Sequence, residues 1–230
     1  MKYGRVKKGR FVQRPNRFIA LVEVDGEVQR VHVKNTGRCK EILVPDCTVY
    51  LEECNSEKRS TRFDLIAAEK LTDGRVTLIN IDSQAVNDTA EEWLKRGDLF
   101  SADAVIKREV TYGSSRFDFY VEDGEQRTFL EVKGCTLEKD GVAMFPDAPT
   151  ERGVKHLTEL VSCIKDGFRA VVLFVLGMKG PKVFKPCDRI HPQFGEALRA
   201  AREAGVEVYA IDCIVTEDSV IPDGFVETEI

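Results

Sequence analysis

Two carboxylates and a lysine between residues 115 and 134 have the types and the spacing of a metal site that cleaves phosphodiesters. The segment SRFDFYVEDGEQRTFLEVKG has the pattern of two strands joined by a tight turn. If the loop is Gly124-Glu125, Asp118 lies directly opposite Glu131; if it is Asp123-Gly124, Asp118 is diagonal to Glu131 on the same face. Either register brings the two carboxylates close together.

Lys133 lies two residues after Glu131 and shares its face, because side chains alternate along a strand. Like charges that face each other are destabilising, so a bound cation is the natural compensation. Mg²⁺ or Mn²⁺ could take one oxygen from each carboxylate and keep its other positions for water and a phosphate. Lys133 could orient the attacking water or stabilise charge on the phosphate, and Glu109 could add a third carboxylate. The triplet alone is also typical of a surface hairpin with an ordinary salt bridge.

The elements that must position this hairpin follow from changes in the hydrophobic period. Apolar residues recur at helical spacing from Ala85 to Leu94, with Asp82 or Ser83 able to cap the helix start and Gly97 able to end it. Three strands are expected at 104–112, 115–122 and 127–134, followed by a helix at 151–165, an apolar strand at 170–176, a helix at 192–205 and a strand at 206–211. This order predicts a mixed α/β domain.

The first third has the pattern of five short strands, at 17–24, 28–33, 48–54, 62–71 and 76–81, with Asp25-Gly26 and Asp73-Gly74 as turns. Such a pattern favours a small antiparallel barrel, and the OB-fold is a common small barrel that binds oligonucleotides. Sandwiches and SH3-like barrels give similar patterns. The change of period near residue 82 divides the chain into a barrel at 1–82 and an α/β domain at 83–230.

Charge is distributed unevenly along the chain. Residues 1–40 hold eleven Lys or Arg against three Asp or Glu, a net charge of +8, so the other 190 residues sum to −13 within a total of −5. Electrostatic attraction is screened beyond roughly 8 to 10 Å at physiological salt, so a basic segment in an acidic protein can still attract a polyanion locally. A solvated basic surface is the alternative.

Seven cysteines occur without any C-x-x-C pair, together with only three histidines. This pattern argues against a disulfide framework and against a zinc site of ordinary spacing. The chain also lacks an apolar run long enough for a membrane span or a secretory signal. We therefore expect a cytoplasmic protein with reduced thiols and no membrane contact.

The order of elements resembles the core of the PD-(D/E)XK nuclease superfamily, in which the acid of the second strand and the E-x-K of the third form the metal site; Asp118, Glu131 and Lys133 fit these positions. The whole chain resembles, more closely still, the sugar fermentation stimulation protein A (SfsA) family. The motifs that carry this resemblance are RFIALV, HVKNTGR, REVTYGSSRFDF, FLEVKGCTL, FPDAPTERGVKHLTEL and AGVEV. The chain departs from the usual family pattern at Val33-Lys34, where Cys-Pro often precedes Asn-Thr-Gly.

The resemblance implies an N-terminal OB-fold joined to a nuclease-like domain, DNA binding without marked sequence preference, and a role in regulating sugar utilisation. The number of subunits stays open, a dimer included. Seven residues are expected to bind nucleic acid: Arg14, Arg17, Lys34, Asn35 and Arg38 in the basic segment, and Lys155 and His156 on the helix at 151–165. For the last two, a solvated helical face is the alternative.

Three functions fit these observations. The first is a magnesium-dependent phosphodiesterase that binds DNA. The second is a DNA-binding regulator that keeps the nuclease fold without cutting. The third is a small-molecule sensor in which the barrel binds a sugar or nucleotide, although the chain has neither GxGxxG nor a P-loop.

Overall fold

A computed structural model describes residues 1–35, 37–54, 59–72 and 74–230. Thr36 of the HVKNTGR motif and Asp73 of the expected Asp73-Gly74 turn lie outside the described residues.

The N-terminal part of the chain forms a closed barrel. Its strands are β1 (Val6–Asn16), β2 (Ile19–Val24), β3 (Glu27–Val33), β4 (Thr48–Glu53), β5 (Phe63–Thr72) and β6 (Arg75–Asn80). The sheet runs in the order β3-β2-β1-β4-β5-β6, and a parallel pairing of β3 with β5 closes it. The predicted small barrel is therefore present, with a core that includes Val22, Val31, Leu51 and Leu65.

Strand β1 was not predicted, because its eleven residues are mostly polar and only Phe11 is buried. The strand is held by its neighbours instead: it pairs with both β2 and β4. Gly9 permits a close approach, since a Cβ there would lie 2.6 Å from Cγ1 of Val22. Tertiary pairing thus makes a strand of a segment whose hydrophobic pattern is weak.

The second domain is the predicted mixed α/β fold. Its elements are α1 (Ala85–Leu94), β7 (Val105–Tyr112), β8 (Ser115–Asp123), β9 (Gln126–Cys135), β10 (Leu137–Lys139), β11 (Val142–Phe145), α2 (Glu151–Lys165), β12 (Arg169–Leu176), β13 (Val183–Pro186), α3 (Pro192–Glu203), β14 (Glu207–Val215) and β15 (Val220–Thr228). Within the described ranges the sheet order is β10-β11-β13-β15-β14-β12-β9-β8-β7. The short strands β10, β11 and β13 and the long β15 were not predicted.

The two faces of this sheet are covered by different helices. Trp93 and Leu94 of α1 pack with Leu130 and Val132, whereas Leu157 and Leu160 of α2 pack in the other core cluster. Gly134 allows α1 to approach β9, because a Cβ there would lie 2.8 Å from Cγ2 of Val86. Strand β9 is therefore covered on both sides, as its neighbour β12 is.

The two domains are joined tightly by chain segments near residues 1–3 and 80–83. Lys2 forms a β-bridge with Ser219, and Tyr3 packs in a core cluster that contains residues of both domains, so the first residues also contact the second domain. All seven cysteines belong to the described ranges and are free thiols. In those same ranges, no helix is long and apolar enough to cross a membrane.

Candidate active site

Asp118 lies where strands β8 and β9 separate. The ladder confirms the first of the two predicted registers, with Gly124-Glu125 as the turn, and its last pair is Phe119 with Leu130. Asp118 would come next, but its Oδ2 accepts a hydrogen bond from the backbone N of Val132 at 2.8 Å. Its Oδ1 accepts from Nδ2 of Asn87 on α1 at 2.8 Å. These two bonds fix the carboxylate at the end of the ladder.

Glu131 is the most deeply placed acid of the site, with 3% of its surface exposed. Its Oε1 accepts hydrogen bonds from Nζ of Lys133 and from Nδ1 of His156 on α2. Its Oε2 is buried and has no hydrogen-bond partner among the described residues. A buried carboxylate oxygen without a partner is costly, so this oxygen is ready to accept a cation or a donor from a ligand.

His156 links Glu131 to a cation on the same helix. Nε of Arg152 donates to Nε2 of His156 at 3.3 Å. Because Nε2 accepts this bond, the ring hydrogen of the neutral imidazole lies on Nδ1, which donates to Glu131. Arg152 and His156 are one helical turn apart, so the geometry of α2 aligns them. These hydrogen bonds hold Oε1 of Glu131 and leave the buried Oε2 without a partner among the described residues.

The two carboxylates differ in their pKa. Burial, followed by the charge of Glu131, raises the pKa of Asp118 above its ordinary value. Burial also acts to raise the pKa of Glu131, but the hydrogen bonds and charges of His156 and Lys133 outweigh it, so that pKa is lowered. Glu131 is therefore the stronger acid of the pair, and burial opposes the charge of Asp118 more than its hydrogen bonds stabilise it.

The donor set fits Mg²⁺ or Mn²⁺. Glu131 offers a bare Oε2, and each oxygen of Asp118 keeps a lone pair beyond the hydrogen bond that it accepts. The described residues contain no group of three or more His, Cys, Asp or Glu arranged for a metal. A site with two carboxylates is nevertheless ordinary for magnesium, which keeps several waters and takes further oxygens from a phosphate.

Asp118, Glu131 and Lys133 line a cleft of about 1220 Å³ between the two domains. The barrel supplies one wall, through the end of β1 and the loop after β3. The other wall comes from α1, the end of β9 and the FPDAPT loop at 145–150. Four basic residues of the barrel line it: Arg14, Arg17, Arg38 and Lys40. The basic segment and the carboxylates, which belong to different domains, thus share one cavity.

Two of the residues expected to bind nucleic acid shape this cleft from within. Arg14 donates to the backbone oxygens of Arg17, Asn35, Gly37 and Arg38 at distances of 2.6–3.0 Å. Asn35 donates to the backbone oxygen of Ile81 at 2.9 Å and accepts from the backbone N of Gly37 at 2.7 Å. Both side chains therefore organise the loop, and their binding of nucleic acid stays a prediction.

Lys34 is placed differently from expectation. Its Nζ lies 2.6 Å from Asp82 and 3.4 Å from Asp64, and only 11% of its side chain is exposed. Both acids are themselves buried. Lys34 is thus the centre of a buried ion cluster at the domain junction, where a nucleic-acid phosphate cannot reach it without breaking the cluster.

Glu109 and Lys155 lie outside the cleft. Glu109 has a left-handed backbone, with φ of 58°, and pairs with Nε of Arg116 at 2.6 Å on the exposed edge of the sheet. Lys155 donates to the backbone oxygen of Ser114 at 3.2 Å. The structure thus separates Glu109 from the two carboxylates and turns Lys155 away from them. Of the residues expected to bind nucleic acid, Arg17 and Arg38 keep exposed positions in the cleft.

The cleft residues that sequence reasoning did not assign to the site include Lys40, Asn87, Asp147 and Arg152. Asp147 packs against Gly37, where a Cβ would clash with its Oδ2, and burial raises the pKa of this carboxyl. Asp147 and Arg152 lie in the specific FPDAPTERGVKHLTEL motif, which was a usable signal. Asn87 could be found only from its contact with Asp118.

The chain is similar to proteins of one family over its whole length. Residues 12–80 match the family model "SfsA N-terminal OB domain", which confirms the OB barrel, and residues 84–219 match "Sugar fermentation stimulation protein RE domain". A "Sugar fermentation stimulation protein homolog" of Clostridium beijerinckii is 50% identical over 220 residues, 96% of either chain. Another, of Desulfitobacterium hafniense strain Y51, is 50% identical over 230 residues, 100% of this chain and 99% of the relative.

A solved structure is similar as well. It is described as "The structure of Pyrococcus Furiosus SfsA in complex with Ca2+", and it matches with a TM-score of 0.87 and 31% identity. The match covers 100% of this chain and 98% of that one.

Proposed function

This chain belongs to the sugar fermentation stimulation protein A family, and from that membership and the geometry of its cleft we propose that it binds DNA and hydrolyses phosphodiester bonds with Mg²⁺ or Mn²⁺. The observation that carries the proposal is Oε2 of Glu131, a buried carboxylate oxygen with no partner among the described residues, close to a second carboxylate. The calcium ion named for the Pyrococcus furiosus relative supports a divalent-cation site in this family.

In this proposal each residue of the site has a distinct task. Oε2 of Glu131 and the remaining lone pairs of Asp118 would hold the cation, which would act as a Lewis acid on the phosphate. His156 and Asn87 keep the two carboxylates in place through the hydrogen bonds described above. Lys133 donates one hydrogen bond to Glu131 and has two further N–H groups, which can orient a water or stabilise charge on a phosphate oxygen.

Cleavage assays with matched carboxylate variants test this function. Purified protein is incubated with single- and double-stranded DNA and RNA in Mg²⁺ or Mn²⁺. Wild type should cut, and Asp118→Asn and Glu131→Gln should lose cutting together with Mn²⁺ binding in calorimetric titrations. Glu109→Gln is the control, because this acid lies outside the cleft, and it should keep both. No cutting by wild type, or equal cutting by Asp118→Asn, would refute the proposal.

A second candidate is a DNA-binding regulator that does not cut. It is favoured by the absence, in the described part of the chain, of a third metal-binding side chain at the site. Under either proposal, we extend to this chain the role in sugar metabolism that the relatives' name indicates. Its free thiols support a cytoplasmic location. Under this alternative, Asp118→Asn leaves DNA affinity intact and wild type shows no cutting in any divalent cation.

A further inference from the structure

Most of the positive charge in the N-terminal segment is neutralised within the fold. Six of its eleven cations form ion pairs within 4.0 Å: Lys2, Arg5, Lys7, Lys8, Arg10 and Lys34. The other five are Arg14, Arg17, Arg30, Arg38 and Lys40, which have no acid at that distance in the described ranges. The net charge of the segment therefore overstates what a polyanion can reach.

The remaining cations are concentrated at the cleft. Four of the five line it, and only Arg30 lies elsewhere. Arg14 is used by backbone oxygens, so Arg17, Arg38 and Lys40 are the exposed cations of this wall. Arg152 lines the opposite wall from α2. Several cations in one cleft, contributed by both domains, suit the closely spaced phosphates of a polynucleotide.

An aromatic side chain lies beside one of these cations. The ring of Phe18 is 54% exposed, and the guanidinium of Arg17 lies 5.9 Å from its centre. Proteins that bind single strands combine a basic groove with aromatic rings on which bases stack, and arginine adds to that stacking. Phe18 and Arg17 thus present both elements at the β1–β2 turn.

The volume of the cleft favours one strand over two. Its volume of about 1220 Å³ is little above the roughly 300 to 1000 Å³ of pockets that hold one small molecule. Glu131 lines the cleft and is almost wholly buried, with 3% of its surface exposed. A duplex is a stiff rod with stacked, paired bases, whereas an unpaired strand is narrow and can turn its phosphate inward.

We infer that the cleft is a track for a single polynucleotide strand, which runs from Phe18 and Arg17 past Arg38 and Lys40 to the carboxylates. The place of the scissile phosphate at Glu131 rests on the proposed phosphodiesterase function, whereas the track itself does not. The chemistry recognised is the phosphate backbone and the faces of unpaired bases. DNA and RNA strands share both, so they are separate arms of the test.

Binding is measured by fluorescence anisotropy in EDTA, where metal-dependent cutting cannot consume the probe. The probes are a labelled single-stranded DNA, the RNA of the same sequence and the blunt DNA duplex. A single strand should bind at least tenfold more tightly than the duplex. The logarithm of its affinity should fall with the logarithm of salt concentration at a slope of roughly −0.7 for each phosphate neutralised.

Variants locate the track. Arg38→Ala and Lys40→Ala should each make the salt slope less steep by about 0.7 and weaken strand binding. Phe18→Ala should weaken strand binding without changing the slope, because stacking releases no counterions. Arg30→Ala is the matched control: it removes an exposed cation of the same segment that lies outside the cleft, and it should bind like wild type.

The outcomes separate the two proposals. Duplex binding as tight as strand binding, or equal effects of Arg30→Ala and Lys40→Ala, would overturn the track, even if the protein cuts DNA. Tight strand binding that depends on Lys40, in a protein that cuts nothing, would support the track and overturn the phosphodiesterase. A preference for the RNA arm or the DNA arm identifies the strand and supports the track in either case.

Discussion

Lys34 offers a decisive test, because charge along the sequence assigns it to nucleic acid and the structure assigns it to the domain junction. Its ammonium lies 2.6 Å from a carboxylate oxygen of Asp82 and 3.4 Å from one of Asp64. The substitution Lys34→Met keeps the apolar stem and removes the charge. It should therefore destabilise the fold and leave nucleic-acid binding unchanged.

The expected loss of stability depends on which contacts Asp64 and Asp82 keep in the Lys34→Met variant. Asp64 retains its contacts with Arg59 and His32, whereas Asp82, 1% exposed, loses the only cation within ion-pair distance in the described ranges. Removing one partner of a buried pair costs about 3 to 5 kcal/mol. Because one acid of the two remains compensated, we expect about 3 kcal/mol, the lower end of that range. In urea this corresponds to a midpoint lower by roughly 1 to 1.5 M.

Urea unfolding at neutral pH, followed by far-UV circular dichroism, measures this difference. Lys40→Met is the control, since Lys40 is exposed in the cleft, and its free energy of unfolding should change by less than about 0.5 kcal/mol. Nucleic-acid affinity, measured well below the midpoint, should fall for Lys40→Met alone. The reverse pattern, a stable Lys34→Met protein with weakened binding, would refute the assignment of Lys34 to the junction.

The pH dependence gives an independent check. Burial opposes the charge of Lys34, but its contacts with Asp82 and Asp64 outweigh burial and raise its pKa, so its contribution is complete below about pH 10.4. Burial acts to raise the pKa of Asp64, but Arg59 and Lys34 outweigh it and lower that pKa. The stabilisation from Asp64 is present above about pH 3.9 and is lost as pH falls through its lower folded pKa. The difference between wild type and Lys34→Met should be constant near neutral pH and shrink in acid.

Three further predictions concern the site. His156→Ala should weaken Mn²⁺ binding roughly 10- to 100-fold in calorimetric titrations, because Glu131 loses a hydrogen bond that orients it. His156→Gln should recover part of the lost affinity, since its amide can donate a hydrogen bond to Glu131. Equal losses of affinity in the two variants would contradict a hydrogen bond donated by His156. As pH is lowered, Mn²⁺ affinity should begin to fall at a pH above the ordinary pKa of an aspartate. Burial and the charge of Glu131 raise the pKa of Asp118, and only its carboxylate form binds the cation. A fall confined to pH below about 3.9 would contradict this prediction. Arg14→Ala should lower the free energy of unfolding in urea by about 2 to 3 kcal/mol and speed tryptic cleavage after Arg38, because the loop loses four hydrogen bonds. Arg14→Lys should recover little of this stability, since an ammonium cannot replace the guanidinium geometry. Unchanged cleavage would exclude a role of Arg14 in holding the loop.

Local patterns in the sequence were sufficient for the hairpin and its neighbours. The helix at 151–165 begins and ends at the expected residues, with the side chain of Thr150 accepting a hydrogen bond from the N of Gly153. Strand periodicity put Glu131 and Lys133 on one face, and the turn limited Asp118 to two registers. These features depend on contacts between residues close in sequence, so local rules determine them.

Strand β1 and the short strands β10, β11 and β13 could not be predicted in this way. Strand β1 has a weak hydrophobic pattern, and β10, β11 and β13 are only three or four residues long. Strands β1, β11 and β13 pair with segments distant in sequence, whereas β10 pairs with its hairpin neighbour β11. Residue types also did not distinguish the cations that form ion pairs within the fold from those that stay exposed. Lys34 and Lys40 are the same residue type in the same basic segment. Lys34 nevertheless lies between two acids, whereas Lys40 is exposed, because only the fold decides which acids lie nearby.

The carboxylates Asp118 and Glu131 were therefore available from the sequence, as residue types at a spacing that a hairpin brings together. What surrounds them was decided by tertiary structure: His156 and Asn87 come from helices on opposite faces of the sheet, and Lys40 comes from another domain. The physical reason is that hydrogen bonds and burial depend on distance in space. Local sequence fixes the distance between two residues only within a turn or a strand pair. Everywhere else, that distance depends on how the whole core packs.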